Sequence, residues 1–269
     1  MKTIIAKAHF VENYLLNPTN PIVVNLIGAG GTGSHVLTRL AVINQSLTTL
    51  GHAGLFVRVF DDDVVTEANK GRQPFAEAEL GLQKAVALIN RINRFFGIGW
   101  KAVPRKFTER LIQQNPSLAQ ASITISCVDN VASRFEIAGI LKSFQPEKSI
   151  SLNRPLYWMD FGNSRYTGQV LLSTVSAIKQ PTSKKFMPVA SLPFITEEFK
   201  DLLSQADAKD DTPSCSLAEA LEKQDLFINS TLAEIGATLL WRMFREGILM
   251  DRGVFVNLRE FRTQPLKVA

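Results

Sequence analysis

Between Pro21 and Ser34 an apolar run of strand length passes straight into a glycine turn and out into a helical pattern, an order that few folds accept. Gly28, Gly30 and Gly33 satisfy G-x-G-x-x-G, with Gly31 inside the turn, and Val36, Leu37, Leu40 and Ala41 then recur at helical spacing. The first glycine permits the tight turn, the second lets backbone approach a phosphate, and the third lets helix pack on strand. An anion then rests at the helix N-terminus, where free N–H groups and the macrodipole favour negative charge. The turn alone leaves NAD, FAD, S-adenosylmethionine and ATP open, and an ordinary tight βα turn as well.

A second strand is expected at Leu55–Phe60, ending in Asp61-Asp62-Asp63. An acid at that tip binds ribose hydroxyls in dinucleotide folds, usually about 20 residues past the glycines. Asp61 lies 33 positions after Gly28, so Gln45 to Gly54 reads as an inserted loop or a helix extension. Alternation sends Asp61 and Asp63 to one side, toward a nucleotide, and leaves Asp62 to solvent or a turn. A solvated acidic turn is the other reading open to all three.

Further elements follow in order: Asn69-Lys70-Gly71-Arg72-Gln73, Gly81-Leu82-Gln83-Lys84, then an apolar strand Ser122–Val128 ending in Asp129-Asn130, with Arg134 beyond. With the glycine turn and D-x-D-x-V at Asp61–Val65, this order resembles the ThiF/MoeB superfamily, the ATP-dependent activators of ubiquitin-like proteins. Within it the whole length is similar to the ThiF-type member of the PRTRC plasmid cassette, notably at Pro213-Ser214-Cys215-Ser216 and Gln224–Asn229. The resemblance implies a doubly wound α/β (Rossmann-like) domain, ATP and Mg²⁺ as cofactors, and a small ubiquitin-like protein as partner. It also implies a homodimer, with an E2-like carrier and a JAB peptidase in the same cassette.

The residue types suit that chemistry. A C-terminal carboxylate is ionised at neutral pH, so its attack on the α-phosphate of ATP needs no general base. Two anions must instead be held together while charge develops on phosphate. Arg72 offers a cationic fork, Lys84 a cationic point, Asn69 and Gln73 hydrogen-bonding groups, and Asp129 a carboxylate for Mg²⁺. Each also has an ordinary reading: surface arginine, solvated lysine, or helix cap at Asp129 or Asn130. Arg134 reads equally well as packing or as function. Cys215, at an apparent helix start, is either a thioester nucleophile or a small buried hydrophobe, whereas Cys127 reads as core.

One departure stands out. MoeB-like relatives donate an arginine near the N-terminus to the phosphates across a dimer interface, but the first arginine here is Arg39, inside the first helix. Lys2 or Lys7, or a partner, would have to replace it. A catalytically weak nucleotide-binding adaptor therefore stands as the alternative. An NAD-dependent oxidoreductase is disfavoured, because hydride transfer does not need Arg72, Lys84 and Asp129.

At 269 residues and 45% hydrophobic content the chain can bury a large core, read as one domain (1–150 nucleotide-binding half, 151–269 strands, crossover loop and C-terminal helices). No apolar run reaches membrane-spanning length, and no secretory signal is expected at Met1-Lys2-Thr3. Two cysteines and three scattered histidines (His9, His35, His52) suit neither a disulfide framework nor a zinc site, which points to a reducing cytoplasm. The net charge of +5 is dispersed and does not indicate nucleic acid. In the second half, strands are expected at Leu156–Gly162 and Thr167–Val175, the latter added antiparallel. A long loop Ser176–Pro213 should follow, helical only near Glu197–Ala206. Ser216–Glu246 reads as helix broken near Asp225, and Gly253–Phe261 as a late strand.

Overall fold

Alternation along two neighbouring strands decides the architecture. The computed structural model describes residues 6–70, 73–144, 154–201, 203 and 224–269. Strands β2 (Ile22–Ile27) and β3 (Leu55–Phe60) pair in parallel, Ile22 opposite Leu55 through Ile27 opposite Phe60. Val24, Leu26, Val57 and Val59 share one core with Leu37 and Leu40 of α1 (Gly31–Thr49) and Leu88 of α2 (Lys84–Phe96). Ile27 and Phe60 belong to a second core with Leu111 of α3 (Glu109–Gln114) and Ile137 of α4 (Val131–Ser143). Each such side chain contributes roughly 1.5–3 kcal/mol on burial. Helices on both faces are what parallel strands with right-handed crossovers require.

The main sheet has eight strands. From one edge it runs β4 (Lys101–Val103), β3, β2, β5 (Ile123–Ser126), β6 (Tyr157–Asn163), β7 (Thr167–Thr174), β10 (Asp251–Asn257) and β11 (Arg262–Lys267). The pairings from β4 to β6 are parallel, and those from β6 to β11 antiparallel. The fold is thus a doubly wound, Rossmann-like α/β sheet with antiparallel strands added in the second half. The final long helix, α6 (Ile228–Glu246), packs against α1 and β7 on the first face. A three-stranded sheet of β1 (Lys7–Phe10), β8 (Met187–Pro188) and β9 (Ile248–Leu249) stands apart from the main one.

Of the two readings of the excess length before Asp61, the helix extension holds, since α1 continues to Thr49. Other expectations are corrected in detail. The short helix α5 (Ile195–Glu198) begins two residues before Glu197. The late strand stops at Asn257: Phe261 sits in the following hairpin with φ +51° and is 95% exposed, and β11 succeeds it. The Ser216–Asp225 part of the expected helix lies largely outside the described residues. Among the described residues no helix is long and apolar enough to cross a membrane.

Candidate nucleotide-binding site

The chain leaves β2 for α1 toward one side of the sheet and returns to β5 on the other, so the strand order reverses between β2 and β5. Open α/β sheets bind ligands at that switch point, beyond the carboxyl ends of the strands. A cleft of ≈ 180 Å³ lies there, walled by Gly28 and Gly30 after β2, Asp61 after β3 and Asp129 after β5. Gly28 has φ +91°, and a Cβ on it would stand 2.6 Å from the Cys127 carbonyl oxygen. At Gly33 a Cβ would come within 1.9 Å of the Gly28 oxygen, so helix and turn touch only through glycine. Gly30 differs, because a Cβ there would meet nothing within 4 Å; the turn is open on that side. Helix α1 begins immediately after, with no side-chain cap and no acid in its first turn. Its free N–H groups therefore face no competing protein anion from their own helix.

Asp61 is bound into the turn by backbone. Its Oδ2 accepts from the Ala29 N–H (2.6 Å) and its Oδ1 from the Asp63 N–H (2.9 Å). Burial pushes its carboxyl above the ordinary Asp value, while the Ala29 N–H and the charge on Lys84 pull the other way. Asp62 and Asp63 are exposed and also wall the cleft, so all three acids reach it. Lys84 is not a solvated lysine: it is 7% exposed, and its Nζ donates to Asp63 Oδ2 at 2.8 Å.

Asn69 is buried and caps its own turn, its Oδ1 accepting from Thr66 N (2.9 Å) and Thr66 Oγ1 (3.1 Å). Gln73 is buried too, and its Oε1 has no hydrogen-bond partner among the described residues. A buried acceptor left so costs about 1–3 kcal/mol. Asn69, Gln73 and Lys84 do not line the cleft, and of the three Lys84 reaches a lining residue, Asp63.

The β5–α4 loop carries Asp129 exposed at the cleft, with Oδ1 accepting from Asn130 Nδ2 at 3.1 Å. Asn130 is the helix cap, its Oδ1 accepting from Ser133 N at 2.8 Å. Arg134 is buried against Asp160 on β6, with Nε 3.1 Å from Oδ2. Its Nη2 donates to the Val128 carbonyl at 2.7 Å and its Nη1 to the Asn130 carbonyl at 3.4 Å. The guanidinium thereby holds the loop that presents Asp129. Asp160 also accepts from Ser126 Oγ (2.5 Å), which in turn accepts from Trp158 Nε1 (2.7 Å). Burial raises the Asp160 carboxyl, opposed by Arg134 and the Ser126 hydroxyl.

Sequence reasoning passed over Asp160, although one acid inside the apolar strand Tyr157–Phe161 was a legible sign of a buried partner. It also passed over Lys106, an exposed cation on the cleft wall after β4. Lys7 does not fill that place: it lies on β1, paired with Met187. Cys127 is corrected from strand core to a half-buried position just past β5, on the cleft floor. Burial pushes its thiol well up, which keeps it protonated and unreactive. Arg72, Cys215 and Lys2 lie outside the described residues.

The ThiF family pattern matches residues 20–245, most of the chain and all of this site. The chain belongs to the ThiF family. No curated protein sequence matches this ThiF-family chain at a significant level. Among solved structures it is similar to PaaA, with TM-score 0.59 and 14% identity over 92% of this chain and 64% of that one. It is also similar to E. coli MccB crystallised with MccA (TM-score 0.58, 13% identity, 95% of this chain and 65% of that one). MccB with ATP gives TM-score 0.56 and 14% identity over 94% and 64%. At such identities the likeness establishes the fold, and this chain spans about 64–65% of those proteins' length.

The donors suit ATP with Mg²⁺. The open side at Gly30 and the uncapped α1 leave room for phosphate. Among the described residues no group of three or more His, Cys, Asp or Glu could hold a metal by itself. Asp129, exposed at the cleft, suits Mg²⁺, which typically binds through one or two carboxylates plus substrate phosphates.

Proposed function

We propose that this ThiF-family chain, working as one domain over residues 1–269, adenylates the C-terminal carboxylate of a small ubiquitin-like protein with ATP. The observation that carries the reading is the convergence of the glycine turn, Asp61 and Asp129 on one cleft at the sheet's switch point. A carboxylate oxygen of the partner's last residue attacks the α-phosphorus, the bond to the β-phosphate oxygen breaks, and pyrophosphate leaves with both bonding electrons. The product is an acyl-adenylate.

Asp61 accepts the ribose hydroxyls, and Gly30, Gly31 and the start of α1 take phosphate oxygens. Arg72 neutralises charge on the polyphosphate, Lys84 offsets the charge of Asp63 at the cleft wall, and Asn69 and Gln73 orient Arg72 and phosphate. Asn130 fixes the loop of Asp129, which would hold Mg²⁺; that ion supplies charge neutralisation at the phosphates. MccB has been crystallised with ATP and with MccA, which supports a nucleotide plus a small partner here. An E2-like carrier, a homodimer and a Cys215 thioester belong to the same reading as later steps of a PRTRC-type cassette.

The test is ATP–pyrophosphate exchange with a co-encoded small ubiquitin-like protein. Exchange should require its intact C-terminus and vanish when the last two residues are removed. ATP binding without exchange, whatever the partner, would favour a nucleotide-binding adaptor.

A further inference from the structure

Asn229 belongs to the second half of the chain, one residue into α6, yet its side chain ends against the first turn of α1. It is 2% exposed. Its Oδ1 accepts from Thr32 Oγ1 (2.8 Å) and from Asn163 Nδ2 (2.7 Å), and its Nδ2 donates to Gln224 Oε1 (2.9 Å). Three hydrogen bonds thus lock the carboxamide in one orientation. The three atoms nearest a Cβ at Gly31 would all belong to that carboxamide, at 2.6 Å from Nδ2, 2.8 Å from Cγ and 3.0 Å from Oδ1. Gly31 is helical and does not carry a positive φ, so helix propensity would favour alanine there. Its glycine is explained by Asn229.

We propose that Asn229 is a positioning residue for the phosphate turn: its carboxamide, seated on Gly31 and tied to Thr32, sets where the first N–H groups of α1 point. The role rests on the nucleotide reading above. It also links the chain entering α6, through Gln224, to the turn on which phosphate would lie. The anion site is therefore completed by both halves of the fold. Phosphate binding at a helix N-terminus depends on N–H direction, and N–H groups shifted by a fraction of an ångström bind less well.

The experiment compares Asn229→Ala, Gly31→Ala, the double variant and Thr238→Ala, an exposed α6 position, as control. ATP–Mg²⁺ affinity is read by calorimetry and thermal stability is read without nucleotide. Asn229→Ala and Gly31→Ala should each weaken ATP about tenfold, one by releasing the turn and the other by pushing on the locked amide. In the double variant the alanine at 31 has room, so its loss should not exceed that of Asn229→Ala alone, a non-additivity expected only of direct neighbours. Thr238→Ala should leave both readouts unchanged. If Asn229→Ala lowers the melting temperature but leaves ATP affinity as in the wild type, the residue is packing and the proposal fails. Additive losses in the double variant would overturn it as well. A wild type that binds no ATP would overturn the nucleotide reading and this role together, which sets that failure apart from the other two.

Discussion

Asp61 meets two opposing demands. To accept ribose hydroxyls it must be ionised, yet it lies partly buried, and burial raises its pKa above the ordinary 3.8. At pH below 3.8 the carboxyl is protonated in folded and unfolded chains alike. Above it the unfolded chain releases its proton first, so the folded protein loses ground until its own raised value is passed. The unfolding free energy of wild type minus that of Asp61→Ala should therefore fall as pH rises through that window, measured by urea denaturation at a series of pH values. The same substitution should weaken ATP by at least tenfold at pH 7. A difference that grows with pH would mean that the two N–H bonds to Asp61 outweigh its burial.

Asp160 presents the reverse case, a buried acid whose value is its partner. Asp160→Ala leaves the Arg134 guanidinium buried and unpaired, which should cost about 3–5 kcal/mol. Asp160→Asn, which keeps an acceptor for Ser126, should cost less. Because Arg134 holds the loop of Asp129, Asp160→Asn should also lower pyrophosphate exchange more than ATP affinity.

Elements were legible in the sequence where a single physical signal dominated. β2 and β3 are apolar because both faces of the sheet are covered, and the glycine turn reads clearly because contacts as near as 1.9 Å exclude any side chain. β1, β4, β8 and β9 span two to four residues, too few for a period to register. β11 is a polar, exposed edge strand, so it lacks the apolar alternation by which a strand is recognised. Motif order in the sequence pointed to Asp61 and Asp129, which both wall the cleft, whereas the stretch Gln224–Asn229 stood out only through the family resemblance, and the contact of Asn229 with Gly31 and Thr32 is tertiary. The glycines give an element-level test. Gly28→Ala forces a Cβ at positive φ into the Cys127 carbonyl and should cost at least about 1–2 kcal/mol of stability as well as ATP binding. Gly30→Ala has open space on the protein side, so it should leave the melting temperature within a degree or two and still weaken ATP. Equal thermal losses in the two variants would mean that the turn is not open at Gly30, and an unchanged ATP affinity in Gly30→Ala would mean that phosphate does not lie on that side.

Across the whole molecule, charge is distributed against the ligand the cleft should hold. The chain carries +5 overall, yet Asp61, Asp62, Asp63 and Asp129 wall the cleft and Lys106 is the one cation among its described lining residues. A triphosphate entering alone would face four carboxylates, and Lys84 is already paired with Asp63. Two consequences follow from electrostatics. ATP should bind far more weakly without Mg²⁺ than with it, because the metal offsets charge on both phosphate and Asp129. Lys106→Ala should weaken ATP–Mg²⁺ by about three- to tenfold, the scale of one partly screened ion pair. That loss should shrink as salt is raised from 50 to 500 mM, since the Debye length falls from above 10 Å toward 3 Å. Lys7→Ala, on the separate small sheet, should change neither quantity. If ATP bound equally well with EDTA present, the metal would not be what offsets this charge, and if Lys7→Ala matched Lys106→Ala, the cation that meets the phosphates would not lie on the cleft wall.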